Sequence, residues 1–298
     1  MKSKDIVLVL FMNIAFGASF ISAKIGVNEF PPFLFTAMRF LIIAIILLPF
    51  LKIHKGQMIN IMFISTLGGA FHFSFFYLAL DSSKHISSVA IILQLATPFA
   101  TILSVMFLGE VIKWRRMMGI ILAFLGVIMI IFEPSIFSDL GGIYYSLLAA
   151  LSISISLLFM KKLNDIKVFD LQVWIAWTSF LFLTTISVLT ETNQLEIIQS
   201  ASYGAWIAVV FTAIVATGIG HAGFYYLLTK YDVSKITPLT LLAPVLAIIN
   251  SLIITYFHIF EGFDETMTIK IIIGGSLTLI GVAIVMIREK DREVISSV

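Results

Sequence analysis

Two histidines inside apolar stretches are the residues of this sequence whose chemistry most needs an explanation. His72 and His221 lie 149 positions apart (221 minus 72), each among aromatic and aliphatic residues. Imidazole has an unperturbed pKa of about 6.5, so a pair in a cavity could bind a substrate carboxylate or carry a proton. The alternative is a pair of neutral imidazoles that tie neighbouring helices together by hydrogen bonds. The sequence leaves both interpretations open.

Two prolines inside apolar stretches predict interrupted helices. Pro98 and Pro244 cannot donate the backbone hydrogen bond that continues a helix, so each is predicted to kink its helix. Broken helices expose polar groups to the cavities of transporters. Substrate contacts are therefore predicted, with helix-packing hydrogen bonds as the alternative for each, at Gln94, Thr97, Thr240 and Asn250.

Four further residues complete the candidate set. Tyr77 and Tyr226 repeat the 149-residue spacing of the histidines. Ser19 is small enough to serve either helix packing or a polar contact. Trp177 could stack on a substrate or anchor its helix at the membrane interface.

Charged residues within the apolar stretches are few, and Asp and Glu are absent from the middle of every stretch. Lys24 and Arg39 are predicted to lie at one rim, where each could bind an anion or extend its charge to the interface. Without a buried carboxylate, proton coupling would have to run through histidine. In a transporter without such coupling, transport would be facilitated exchange or downhill export.

Composition identifies the class of protein that must position these residues. The chain has 298 residues, of which 60% are hydrophobic and 12% charged, and its mean hydropathy is +1.07. Soluble domains carry about 25% charged residues, so this is a membrane protein, and soluble enzymes and nucleic-acid-binding proteins are excluded. The absence of cysteine excludes disulfides and thiolate metal sites. No cofactor or metal is implied.

Ten apolar stretches are each long enough to cross a hydrocarbon core of about 30 Å as a helix. Most of the 19 Lys and Arg residues fall in alternate gaps between these stretches, which predicts that both termini are cytoplasmic. The fold class is therefore all-α, with ten transmembrane helices. The predicted spans are residues 5–25, 33–51, 58–80, 86–108, 114–132, 140–160, 170–189, 204–228, 235–256 and 269–287.

Similar residues recur in the same order in the two halves of the chain, which predicts two repeats, residues 1–133 and 134–298. Each repeat has five helices, and because five is odd the second repeat has inverted topology. Inverted repeats of this kind bind substrate near the membrane midplane, where the halves meet. The second repeat has extra residues at 257–264, which predict a short external insertion that is either a lid or a passive surface segment.

Short motifs are spread over the whole chain: Phe16-Gly17-Ala18-Ser19-Phe20 with Lys24 and Gly26, Pro31-Pro32, Arg39-Phe40, Pro98, Gly109-Glu110, and Gly119 with Gly126-Val127. This pattern resembles the EamA-type family of the drug/metabolite transporter (DMT) superfamily, and within it the bacterial amino-acid and metabolite exporters. The resemblance implies a secondary transporter of small metabolites with a central cavity and alternating access.

The predicted function is export of amino acids or amino-acid derivatives across a bacterial inner membrane. The first alternative is an importer or exchanger of a nucleoside-like metabolite such as S-adenosylmethionine. A membrane enzyme or a structural scaffold is the alternative from another class. The expected partners are a small-molecule substrate and the lipid bilayer, with no nucleic acid and no obligate protein partner, while a dimer is left open.

Overall fold

The computed structural model describes residues 1–83, 89–90, 92–131, 140–163, 165–257 and 269–286. The regular secondary structure of these residues is helical, without a β-strand. The predicted insertion at 257–264 lies almost wholly outside the described residues, which include only its first position.

Long apolar helices make up most of the described chain, and we number them in chain order. They are α1 (Ser3–Glu29), α2 (Pro32–Ile46), α3 (Met58–Ser82), α4 (Leu93–Leu108), α5 (Trp114–Ile131), α6 (Leu140–Lys161), α7 (Val168–Thr190), α8 (Tyr203–Lys230), α9 (Val233–Ile254) and α10 (Ile269–Met286). Of the helices in the described ranges, α1, α3, α6, α7, α8 and α9 are long and apolar enough to cross a membrane. The number of crossings, the repeats and the side of the termini stay predictions.

The surface of the bundle is apolar. On α1, Val7 is 65% exposed, and Leu10, Phe11 and Ile14 are exposed beside it. Large exposed apolar surfaces mark contact with a membrane or a partner. In helices of this length and hydropathy, this surface is the face expected to contact lipid acyl chains.

Helix α1 packs against α8 and α9, whereas α6 packs against α3 and α4. Helix α2 packs against α7, and α5 against α10. Glycines allow the last pair to approach closely, because a Cβ atom at Gly126 would lie 2.4 Å from the carbonyl oxygen of Gly274. A Cβ atom at Gly281 would lie equally close, 2.4 Å from the backbone nitrogen of Ala123. Small residues at such positions are typical of membrane helix packing.

One end of the bundle, which we call the Asp5 end, joins the start of α1 to the link between α8 and α9. Tyr231 donates a hydrogen bond of 2.7 Å to the Asp5 carboxylate, which raises the pKa of the Tyr231 phenol because the carboxylate holds its proton. At the same link, the Glu110 carboxylate accepts backbone N–H groups of Val233 and Ser234 at 2.9 and 3.0 Å. These are the first residues of α9, where the helix dipole favours a negative charge.

The other end, which we call the Glu29 end, joins the end of α1 to the residue before α8. The Ser202 hydroxyl donates to the Glu29 carboxylate at 2.5 Å. Nearby, the Glu191 carboxylate at the end of α7 accepts backbone N–H groups of Phe33 and Leu34, in the first turn of α2, at 2.8 and 2.9 Å. Helices α1 and α8 are therefore antiparallel, and the two ends lie about 40 Å apart along the 27 residues of α1.

Candidate functional site

A cavity of about 150 Å³ lies between α1, α2, α3, α4, α6, α8 and α9. Helices α1, α2, α3 and α4 of this wall belong to the first predicted repeat, and α6, α8 and α9 belong to the second. Its polar lining consists of Ser19, Arg39, His72, Gln94, Thr97, His221, Thr237 and Thr240. Its aromatic lining consists of Phe16, Phe20, Phe73, Phe76 and Phe224.

The two histidines are brought together in this cavity. Their rings both contact Phe73, with ring centroids 4.7 Å from His72 and 5.4 Å from His221. Nδ1 of His72 lies 2.9 Å from the carbonyl oxygen of Ala149 on α6, and Nδ1 of His221 lies 2.9 Å from that of Ala216 on α8. Because a carbonyl oxygen only accepts, each Nδ1 donates, and each Nε2 is left to bind a ligand or a proton.

Both histidines adjoin stretches of wider, π-helical backbone. Ser65–Phe71 is π-helical and directly precedes His72, and a second π-helical segment, Thr212–His221, ends at His221. Such segments are rare and are frequent at functional sites. Neither segment could be predicted, because apolar periodicity does not distinguish a π-helix from an α-helix.

Arg39 lies deeper than predicted. The residue is only 2% exposed and lines the cavity, rather than lying at its rim. It donates to the Tyr77 hydroxyl on α3 and to the Thr217 hydroxyl on α8, and it lies 4.4 Å from the centroid of the Phe73 ring. Arginine stacks well on aromatic faces, so these neighbours fix the plane of the charged group.

The smaller polar candidates meet around the broken starts of α4 and α9. Gln94 donates to the carbonyl oxygen of Ala90 at 3.1 Å, in the turn before α4. Thr97 and Thr240 both donate to the carbonyl oxygen of Thr237, at 3.3 and 2.7 Å, which links α4 to α9 across the cavity. Thr237 itself lines the cavity, although it was not among the predicted contacts.

Each proline follows a tight helical turn. A 3₁₀ turn over Leu93–Leu95 precedes the α-helix that contains Pro98, and a second over Thr237–Leu241 precedes the α-helix that contains Pro244. Each proline is the third residue of its α-helix, where little hydrogen bonding is lost. The break in each helix thus lies just before the proline, at the residues that line the cavity.

Ser19 lines the cavity and donates to the carbonyl oxygen of Phe16 at 2.7 Å. The remaining candidates lie elsewhere. Tyr77 is buried behind Arg39, and Lys24 lies at the Glu29 end, where it donates to backbone carbonyls of α3. Tyr226 is 39% exposed beside Lys230. Partly buried positions outside the cavity wall are occupied by Trp177 and Asn250.

Among the described residues, the cavity lining contains one permanent positive charge and no carboxylate. Arg39 is that charge, and Asp and Glu are absent from the described residues that form the wall. The same described part of the chain groups no three His, Asp or Glu side chains in a way that could hold a metal ion. The site is therefore suited to binding and orienting an organic solute by hydrogen bonds and one cationic contact.

The aromatic lining was not predicted from the sequence. Phe16, Phe20, Phe73, Phe76 and Phe224 are five of the 27 phenylalanines of the chain. A signal was available in the sequence, because Phe73 and Phe76 follow His72 by one and four positions, within about one helical turn, and Phe224 follows His221 by three positions. Aromatic walls with a few polar groups are typical of small-molecule sites.

Sequence profiles of known families match this chain in two places. The EamA-like transporter family matches residues 3–132 and again residues 140–287. The chain belongs to this family. It is thus a multi-pass membrane protein and a transporter of the DMT type.

Relatives of this EamA protein align over nearly their whole length. A probable amino-acid metabolite efflux pump of Escherichia coli (strain K12) is 24% identical, with 95% of each chain covered. The protein of the same description from Salmonella typhimurium is 26% identical, also with 95% of each chain covered. An uncharacterized transporter of Archaeoglobus fulgidus is 27% identical over 94% of this chain and 98% of its own.

The fold of this EamA protein has a solved counterpart. One crystal structure superposes with a TM-score of 0.71 at 17% identity, and it covers 96% of this chain and 97% of its own. At that identity, the likeness concerns the fold alone.

Proposed function

We propose that this protein exports amino acids or amino-acid derivatives across the bacterial inner membrane by alternating access, with both termini in the cytoplasm. The observation that carries the proposal is the cavity itself. Helices from both predicted repeats wall it, and each repeat contributes one histidine. A site between two halves can open to either side when the halves rock about it.

Recurring local structure supports the predicted repeats. A π-helical segment adjoins each cavity histidine, and a 3₁₀ turn precedes each cavity proline. Helix α1 packs on α8 and α9 as α6 packs on α3 and α4. These are the pairings expected of two interlocked five-helix units.

Contacts at the two ends support the predicted topology. Asp5, Glu110 and Tyr231 belong to predicted cytoplasmic gaps or span ends, and they meet at the Asp5 end. Glu29 and Glu191 belong to predicted external gaps and lie at the Glu29 end. The chain thus keeps residues of the two predicted sides apart.

The choice of substrate rests on cavity size and on the relatives. A cavity of about 150 Å³ suits a small ligand, since a cavity of that order holds benzene, so a nucleoside-like compound is disfavoured. The Escherichia coli and Salmonella relatives are described as probable amino-acid metabolite efflux pumps, which favours amino-acid-sized substrates and outward transport.

Counterflow in proteoliposomes tests the proposal. Vesicles loaded with unlabelled amino acids, each tested separately, should accumulate the labelled amino acid transiently and with saturation for at least one member of the panel. Ala96→Trp places a large side chain in the cavity and should abolish the exchange, whereas Val7→Trp on the exposed face of α1 should leave it unchanged. Failure of every amino acid to exchange, or equal flux through both variants, would contradict the proposal.

A further inference from the structure

We infer that the cavity recognises its substrate by a carboxylate group and that Arg39 binds this group. The inference rests on the proposed transport function and specifies the chemistry of its site. For Arg39 it favours anion binding, one of the two roles that the sequence left open, and it places that role inside the cavity instead of at the rim.

The surroundings of Arg39 hold the guanidinium without neutralising it. Both of its hydrogen-bond acceptors, the hydroxyls of Tyr77 and Thr217, are neutral. Phe40 and Phe73 offer ring faces, with centroids 5.2 and 4.4 Å from the guanidinium carbon. Across the described residues, none of the ion pairs includes Arg39, and its Nε–H has no acceptor.

A guanidinium in this position has hydrogen-bond donors that no described protein group uses. It carries five N–H groups and stays protonated in proteins, and the two hydroxyls occupy only two of those groups. An unpaired buried charge is costly, so such groups are ordinarily paired with an anion. Because the planar fork of arginine matches a carboxylate in two-point contact, a ligand carboxylate in the cavity would supply the missing charge.

The rest of the lining indicates which charged group of the substrate the cavity recognises. The described cavity wall has no Asp or Glu to pair with a substrate ammonium group. Neutral hydrogen-bonding groups are available instead at Gln94, Thr97 and Thr240. We therefore expect the carboxylate to be required, while acylation of the amino group is tolerated.

A purely structural role for Arg39 gives a different expectation. Its two hydrogen bonds also tie α2 to α3 and α8, so its replacement could weaken the bundle without touching a ligand. A comparison of an acid with its ester, made on the unmodified protein and on variants at position 39, separates the two roles. Only a carboxylate-binding Arg39 makes the preference for the acid depend on this side chain.

The experiment measures ligand binding to the purified full-length protein by isothermal titration calorimetry at neutral pH. The probes are small L-amino acids, each with its N-acetyl derivative and its methyl ester. At least one free acid and its N-acetyl derivative should bind, and the matching ester should bind at least tenfold more weakly. Arg39→Gln should weaken binding of the acid by tenfold or more but leave any ester binding unchanged, and Arg39→Lys should recover part of the loss.

Equal binding of acid and ester, no binding by any member of the series, or acid binding that survives Arg39→Gln would overturn the inference. If Arg39→Gln does not fold, Arg39→Lys takes its place, because it keeps the charge but loses the two-point contact: its preference for the acid over the ester should be smaller than that of the unmodified protein, and an unchanged preference would overturn the inference. Carboxylate binding without counterflow would overturn the transport function and leave the carboxylate site standing. Counterflow that accepts esters as readily as acids would support the transport function and overturn the carboxylate site.

Discussion

Lys24 and Lys161 make the same contact at opposite ends of the bundle. Nζ of Lys24 donates to the carbonyl oxygens of Leu80 and Ser83, both at 2.8 Å, at the end of α3. Nζ of Lys161 donates to those of Leu228 and Tyr231, at 2.9 and 2.8 Å, at the end of α8. A cation is favourable there, because the carbonyl end of a helix is negative.

Each of these helices carries one cavity histidine, His72 on α3 and His221 on α8. The lysines therefore fasten the two histidine-bearing helices to α1 and α6 at the two ends of the molecule. If the bundle opens at one end at a time, each lysine contact belongs to the closed form of its own end.

Loss of either lysine should favour opening at its own end. Lys24→Met should increase the reaction of a cysteine placed in the cavity with a membrane-impermeant thiol reagent added at the Glu29 end, and Lys161→Met should do so at the Asp5 end. The chain contains no cysteine of its own, so a single introduced thiol reports alone. Lys55→Met, at an exposed position, serves as the control. Equal reactivity in all three variants would remove the gating role from these contacts.

His72 should contribute more to stability than His221. The hydrogen bond of His72 to Ala149 joins α3 to α6, whereas that of His221 to Ala216 lies within α8. Hydrogen bonds between membrane helices contribute about 0.6 kcal/mol on average. His72→Phe should therefore lower the apparent Tm in detergent more than His221→Phe does. The reverse order would show that the hydrogen bond between helices stabilises the bundle less than the one within α8.

Close packing of α5 on α10 should make one glycine of α10 sensitive to substitution and another tolerant. A Cβ atom at Gly281 meets backbone of α5 at 2.4 Å, while one at Gly275 finds its nearest neighbour, the Val245 side chain, at 3.8 Å. Gly281→Ala should cost about 1–3 kcal/mol through overpacking, and Gly275→Ala should be close to neutral. Thermal unfolding of the two variants in one detergent checks this, and equal Tm values would disprove the close contact.

The helices were predictable because each apolar stretch is long and bounded by charged gaps. Glycines seven residues apart on α5 and α10, Gly119 with Gly126 and Gly274 with Gly281, are a signal of close packing in the sequence, and the structure pairs these helices with each other. Polar candidates next to the prolines could be predicted to meet, because an interrupted helix leaves unpaired backbone polar groups, and these groups need a polar cavity. Gln94, Thr97 and Thr240 all line the cavity.

The depth of Arg39 could not be predicted in the same way. Counting residues from the start of α2 gives its height along that helix, but α3 and α8 are what bury it. Tyr226 shows a second difficulty. The carbonyls bound by Lys24 and Lys161 are 148 positions apart (228 minus 80), one fewer than the histidines, so the correspondence shifts by one residue within α8. That shift matches Tyr77 to the buried Tyr225 instead of the exposed Tyr226.

The predicted topology has a direct check in intact cells. Asn193→Cys lies in a predicted external gap and Lys55→Cys in a predicted cytoplasmic gap. An impermeant maleimide should label the first and not the second, and both should be labelled after permeabilisation. The opposite pattern would show that the orientation is the inverse of the predicted one. Labelling of both in intact cells would contradict the predicted spans between them.

Accessibility of the cavity from each side of the membrane decides whether the protein works by alternating access. Ser19→Cys places one thiol in the cavity wall, and an impermeant thiol reagent is applied to right-side-out and to inside-out membrane vesicles. Alternating access predicts reaction from both sides, with substrate slowing the reaction in each orientation. Reaction from one side only, or from neither, with no protection by any amino acid, would contradict a site that opens in turn to the two faces of the membrane.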